Sequence, residues 1–249
     1  MDEILKNLSE GKIDVETAKK QLRLFALHNN EKACLDVGRA CRKGVPEAVL
    51  AEGKTPEDAA RFACEIAKEC GISLVTRANA KVIEEIRRIA GELIVEPNIA
   101  AKTVVLRRQG YKNSYTGTVG IIAAGTADIP VAEEAAVAAE IMGCRVIKGY
   151  DIGVAGIHRL FSPLSHMLEA GAGAIVVAAG MDGALPSVVS GLVDVPVIGV
   201  PTSVGYGFGK DGIGALTSML QTCSPGLAVV NIDNGFGAGV FAAMIVKKR

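Results

Sequence analysis

The stretch Thr118-Val-Gly-Ile-Ile-Ala-Ala-Gly-Thr-Ala-Asp-Ile-Pro130 decides how the second half of the chain is read. Apolar and small residues run from Val119 to Ala124 without the polar alternation of a half-exposed strand. Such a run suits a strand buried on both faces, as in a parallel sheet. It ends in a turn of small residues, Gly125-Thr126-Ala127-Asp128, with Pro130 at the head of a helical stretch. Small residues let the backbone approach a ligand. The helix N-terminus that follows turns free N–H groups and a positive dipole end toward an anion. Asp128 fits two roles, a helix N-cap or a ligand-binding group.

Working outward, strand-length apolar runs alternate with helical stretches to the end of the chain. Strands are expected over 118–124, 145–148, 174–178, 196–200 and 227–231. Helices are expected over 131–142, 156–170, 187–192, 213–222 and 235–246. The pattern is α/β, a doubly wound parallel sheet covered on both faces. Sheets of this kind bind ligands beyond the carboxyl ends of their strands. Upstream the composition is more charged and mixed. A helix is expected over 3–27. Thr55-Pro56-Glu-Asp reads as an N-cap with Pro in the first turn, opening a helix to 69. A strand over 72–76, a helix over 79–90 and strands over 92–95 and 103–106 complete a small α+β domain. Residues 107–117 are polar and turn-rich, a linker or a loop over a site. The expected division is 1–114 and 115–249.

The bulk properties agree with this plan and exclude several classes. Lys plus Arg and Asp plus Glu number 27 each, so nothing favours non-specific binding to nucleic acid or anionic membranes. The N-terminus lacks a secretory pattern, and no apolar stretch reaches the roughly 20 residues of a membrane span. The expectation is a soluble, cytoplasmic protein. Six Cys without a C-x-x-C pair, and only three His, argue against a structural zinc site or a disulfide framework.

Unusual residues gather after the expected strands. Gly153-Val-Ala-Gly-Ile-His158-Arg159 places a basic pair at a helix start, suited to phosphate or carboxylate or simply to solvent. Gly180-Met181-Asp182 puts a lone acid in an apolar, Gly-rich turn, where it should be partly desolvated, as a general acid or base requires. A capping role is the alternative. Ser203 and Lys210 flank Gly207, Gly209 and Gly212, a G-x-G-x-x-G run with Asp233 downstream. A dinucleotide fingerprint belongs directly after the first strand, so this late run reads better as a loop that closes over a ligand. Cys223 ends a helix before Pro225-Gly226. By sequence logic alone it is more readily an inert core residue than a nucleophile.

Together these motifs resemble the aminoimidazole ribonucleotide carboxylase family, whose domain is of flavodoxin-like type. That family carries Gly-Ser-x-Ser-Asp-x-Pro after its first strand, where this chain has Gly125-Thr-Ala-Asp128-Ile-Pro130. It carries Ser-Ala-His-Arg after the second, against Gly156-Ile-His158-Arg159 here, and Ala-Gly-Gly-Ala-Ala-His-Leu-Pro-Gly after the third. The third motif reads Ala179-Gly-Met-Asp182-Gly-Ala184-Leu-Pro186-Ser, so the purine enzymes' His falls at Ala184. That departure, an N-terminal extension and Cys223 resemble a related family, the nicotinic acid adenine dinucleotide carboxylase/hydrolases. So does the run Leu35-Asp-Val-Gly-Arg39-x-x-Arg42-x-Gly44-x-Pro46-Glu47 with Glu52-Gly-Lys54-Thr55-Pro56.

The second resemblance implies that C5 of the substrate's pyridinium ring is carboxylated with CO2 and that its phosphoanhydride is hydrolysed. The products are pyridinium-3,5-biscarboxylic acid mononucleotide and AMP, in nickel-pincer nucleotide biosynthesis. It assigns a transient thiolate adduct to Cys223 and proton transfer to Asp182. The binding residues it implies are Gly125, Thr126, Ala127, Asp128, His158, Arg159, Gly180, Met181, Ser203 and Lys210. No carboxylate cluster marks a metal site, so assistance of the hydrolysis by Mg2+ stays open. The implied assembly is an octamer or other high-order homo-oligomer, which the Ala- and Gly-rich C-terminal helices would allow. The alternatives are an aminoimidazole ribonucleotide carboxylase or mutase and a non-catalytic nucleotide sensor.

Overall fold

The computed structural model describes residues 2–22, 28–29, 34–36, 38–39 and 44–247. Residues 23–27, at the end of the first expected helix, and Arg42 of the basic run lie outside them. The chain divides into two compact units, one of residues 1–97 and 104–111, the other of residues 98–103 and 112–249.

In the first unit the expected opening helix is two, Asp2–Ser9 and Val15–Leu22. Gly11, at φ 68°, lies in the turn that parts them, and Asp14 accepts the Thr17 N–H at 2.7 Å to start the second. Strands β1 (His28–Asn29) and β2 (Cys34–Leu35) form a short antiparallel pair. Strand β3 (Ala48–Leu50) pairs in parallel with β4 (Ile72–Thr76), and β4 pairs antiparallel with β6 (Thr103–Arg107). Strand β5 (Ile94–Asn98) lies on the far edge, where Pro97 needs no ladder donor. The Pro56–Cys70 helix starts as expected. The Thr55 side chain accepts the Asp58 N–H at 3.1 Å, and Gly71 closes the other end at φ 83°. This helix and the Ala80–Ile89 helix bury Phe62, Ile66, Val82 and Ile86 against Val75 and Leu106.

The second unit is built on five parallel strands: β7 (Thr118–Ala123), β8 (Arg145–Gly149), β9 (Ala172–Ala179), β10 (Val197–Pro201) and β11 (Leu227–Val229). Their spatial order is β11-β10-β9-β7-β8, the flavodoxin-like arrangement, so the doubly wound sheet expected from sequence is present. The order reverses between β7 and β9, which is where such sheets open a crevice for ligands. On one face, Ile122, Ile175 and Val177 pack with Leu160, Leu164, Met167, Val189 and Met219. On the other, the helices Ile129–Ile141 and Gly235–Val246 meet at very close range. A Cβ at Gly235 would stand 2.3 Å from the Val131 carbonyl oxygen, and one at Gly239 would stand 2.2 Å from that of Ala135. Gly235 and Gly239 are therefore used within the chain, packing one helix on another.

Candidate functional site

A cavity of about 610 Å³ opens at the carboxyl ends of the strands, over the β7–β9 crevice. Three loops supply most of its wall: Ala124–Asp128 after β7, Asp151–Arg159 after β8, and Ala179–Asp182 after β9. Leu185 and, after β10, Val204 complete it.

The first loop is held by Asp128. Its residue is buried; one carboxylate oxygen accepts the Gly125 N–H at 2.9 Å and the other accepts the Thr202 hydroxyl at 2.6 Å. Asp128 thus fastens the turn after β7 to the end of β10, and its polar capacity is largely committed inside the protein. Thr126 and Ala127 are exposed on the cavity side.

The third loop fits because of its glycines. A Cβ at Gly180 would lie 2.2 Å from the Val204 carbonyl oxygen, and one at Gly183, at φ 61°, would lie 2.6 Å from that of Ala215. The Met181 N–H donates to the Val204 carbonyl at 3.0 Å, so this loop and the one after β10 are stitched together. Asp182 is exposed rather than partly desolvated, and its one short-range partner is the Ala184 N–H at 3.4 Å. Gly183 and its neighbours leave the carboxylate at the open rim instead of beneath apolar cover.

In the second loop Arg159 Nη1 donates to Asp151 at 2.7 Å. Gly156 makes room for it, since a Cβ there would meet Arg159 Nε at 2.6 Å. Sequence reasoning missed Asp151, whose signal was its place after β8 in an otherwise apolar and Gly-rich turn. Behind it, the Tyr150 hydroxyl donates to Glu133 at 2.6 Å, and Lys148 and Asn98 donate to the same carboxylate at 2.8–3.0 Å. Burial alone would raise the Glu133 carboxyl, but the hydrogen bonds from Tyr150, Lys148 and Asn98 and the Lys148 charge leave it below its ordinary range. Burial, then the bond to Glu133, pushes the Tyr150 phenol up. In the second sheet, β8, β9, β10 and β11 are each followed by a non-glycine residue in the left-handed region, Asp151, Met181, Asp211 and Asp233; in the first, Arg77 directly after β4 is another.

The remaining expected residues stand outside the cavity wall. His158, Ser203 and Lys210 are exposed and do not line it. The Ser203 N–H donates to Asp233 at 2.8 Å. Gly207, Gly209 and Gly212 lie in a kinked pair of short turns between β10 and the Ile213–Leu220 helix. Cys223 is exposed, contrary to the inert core role favoured by its type; Cys64 and Cys144 are buried. Burial pushes both buried thiols up. Cys223 precedes β11, while every cavity loop follows a strand. Ser190 donates to the Pro225 carbonyl at 2.8 Å, and the Gly226 carbonyl accepts the Val197 N–H at 3.0 Å, so Cys223 lies at the amino edge of the sheet. About 16 Å of strand separate that edge from the cavity.

Among the described residues no helix is long and apolar enough to cross a membrane, and no group of three or more His, Cys, Asp or Glu is placed to hold a metal. A family model for AIR carboxylase matches residues 118–249, the whole second sheet and its cavity loops. The chain belongs to the AIR carboxylase family. Membership places it with carboxylase- and mutase-type enzymes. A second model, for a LarB/PurE-like N-terminal domain, matches residues 27–108. An uncharacterised protein of Methanocaldococcus jannaschii is 44% identical over 98% of this chain and 96% of its own length. Two N5-carboxyaminoimidazole ribonucleotide mutases align with about half of the chain. That of Thermotoga maritima is 33% identical over 51% of this chain and 74% of the mutase. That of Pyrococcus horikoshii is 32% identical over 51% and 71%.

Proposed function

We propose that this member of the family carboxylates C5 of the pyridinium ring of nicotinic acid adenine dinucleotide with CO2 and hydrolyses the phosphoanhydride. The products would be pyridinium-3,5-biscarboxylic acid mononucleotide and AMP, an early step toward a nickel-pincer nucleotide. The observation that carries the reading is the chemistry of the cavity: its acidic groups are Asp128, Asp151 and Asp182, and the chain beyond Asp182 has Ala184 where the purine enzymes bear His. The LarB/PurE-like N-terminal match supports it.

A pyridinium ring is too electron-poor for C5 to attack CO2. Addition of a thiolate at C4 or C6 sends an electron pair to the ring nitrogen and makes a neutral, nucleophilic dienamine. C5 then bonds to CO2, a base takes the C5 proton, and the C–S bond breaks as the thiolate leaves and aromaticity returns. In this reading Asp182 is the base and Cys223 the thiolate. Arg159 is the cation within the cavity wall for a phosphate or carboxylate. Cys223 stands at the other edge of the sheet from its own cavity, so the thiolate would come from a second copy of the chain.

The test is incubation with nicotinic acid adenine dinucleotide and labelled CO2, following AMP and a doubly carboxylated mononucleotide. Cys223→Ser and Asp182→Asn should each be inactive, and a mixture of the two should regain activity. Full activity of Cys223→Ser and Cys223→Ala would end the covalent mechanism. The mutase relatives favour a second reading, an aminoimidazole ribonucleotide carboxylase or mutase. Turnover of that ribonucleotide with bicarbonate, and none of the dinucleotide, would establish it instead.

A further inference from the structure

The charged residues of the cavity wall are three carboxylates, Asp128, Asp151 and Asp182, against one guanidinium, Arg159. They are not equally available. Asp128 is buried and accepts from Thr202 and Gly125. Arg159 is already paired with Asp151. A nucleotide with a neutral ring would bring only negative charge to a wall where acids outnumber bases. A ring that carries a positive charge changes that balance, because a carboxylate can then face it while the ligand's phosphate or carboxylate draws on Arg159.

We infer that Asp151 determines specificity by reading ring charge, so that the cavity takes nucleotides with a cationic pyridinium ring over those with a neutral ring. The inference rests on the pyridinium reading above and deepens it. Asp151 is the carboxylate suited to this because its partner is exchangeable. An anion that draws Arg159 toward itself leaves Asp151 to the ring cation, so one ion pair becomes two. Its carrier is rigid. The Ile152 N–H donates to the Ala123 carbonyl at 3.3 Å, and Gly153 is packed so closely that a Cβ would stand 3.0 Å from the Ala124 carbonyl oxygen. Tyr150, the residue before, is bound to Glu133. Asp151 itself has φ 58°, a conformation that Asp and Asn tolerate and most residues do not.

The experiment compares two ligands that differ in ring charge: nicotinic acid adenine dinucleotide and its 1,4-dihydropyridine form, titrated calorimetrically into the full chain without CO2. The native chain should bind the cationic form roughly tenfold more tightly or better, the size of one partly screened charge pair. Asp151→Asn keeps the left-handed backbone and an oxygen toward Arg159, and should bring the ratio of affinities close to one. Arg159→Ala should weaken both forms by a similar factor and keep the ratio. A ratio near one in the native chain would overturn the charge reading and leave the proposed function standing. A ratio that survives Asp151→Asn, including equal weakening of both forms, would overturn the role of Asp151. Binding of neither form by the native chain would overturn the pyridinium function and this inference with it.

Discussion

The Thr202 hydroxyl donates a 2.6 Å hydrogen bond to Asp128, joining two strand-end loops 74 residues apart in sequence. Both residues are buried. Asp128→Ala would leave the Thr202 hydroxyl and the Gly125 N–H without their acceptor, at a cost of about 2–3 kcal/mol. Asp128→Asn keeps one acceptor and should cost less. Urea unfolding of both variants measures the difference, and equal losses would contradict the bonding described.

Gly125 and Gly180 separate ligand approach from packing. A Cβ at Gly125 would have only ordinary contact, at 3.5 Å from Asp128, whereas one at Gly180 would collide with the Val204 carbonyl. Gly125→Ala should leave the melting temperature nearly unchanged and weaken nucleotide binding. Gly180→Ala should destabilise by about 1–3 kcal/mol and weaken binding as well. Thermal denaturation paired with calorimetric titration checks both. An unstable Gly125→Ala would mean the turn is under strain that the geometry does not show.

Much of the second sheet was legible because buried parallel strands leave uninterrupted apolar runs, as at 118–124. Helix starts were legible where a cap declares itself, as at Thr55. Strand β3 was not, because three residues beside Pro46 and Gly53 carry no period; only pairing with β4 makes them a strand. Glu133 and Glu134 would pass for solvent-facing residues, yet both are buried, with partners that include Lys148, Tyr150 and Phe236. The ties from Asp128 to Thr202 and from Asp151 to Arg159 depend on which loops the topology brings together, and sequence spacing does not report that. Grouping Cys223 with the strand-end residues was mistaken, although the sequence carried the signal: it precedes its strand, while Asp128, Arg159 and Asp182 follow theirs.

Glu133 should make stability depend on pH at the acid end. Its folded-state carboxyl lies below the ordinary value, so its contribution is present at neutral pH and is lost as pH falls below about 4.5 through the depressed folded value. Glu133→Gln should cost about 1–3 kcal/mol at pH 7, and the gap to the native chain should narrow in acid. Denaturant unfolding at pH 7 and near pH 4 tests this; a gap that is constant or wider in acid would refute the sign.

The left-handed residues after β8, β9, β10 and β11 have a consequence for how far this protein can be stabilised. Asp151, Asp211 and Asp233 tolerate that conformation, but Met181, at φ 51°, does not adopt it freely. Met181→Gly should relieve the strain by more than the added freedom of the unfolded chain costs, and raise the melting temperature in thermal denaturation by a few degrees. It should also loosen the loop that carries Asp182, so that turnover falls as heat tolerance rises. Selection for thermal hardness alone would then erode this rim, and variants recovered from such a screen should include Met181 beside Arg77 and Lys102, which share its left-handed backbone, rather than fall in the sheet.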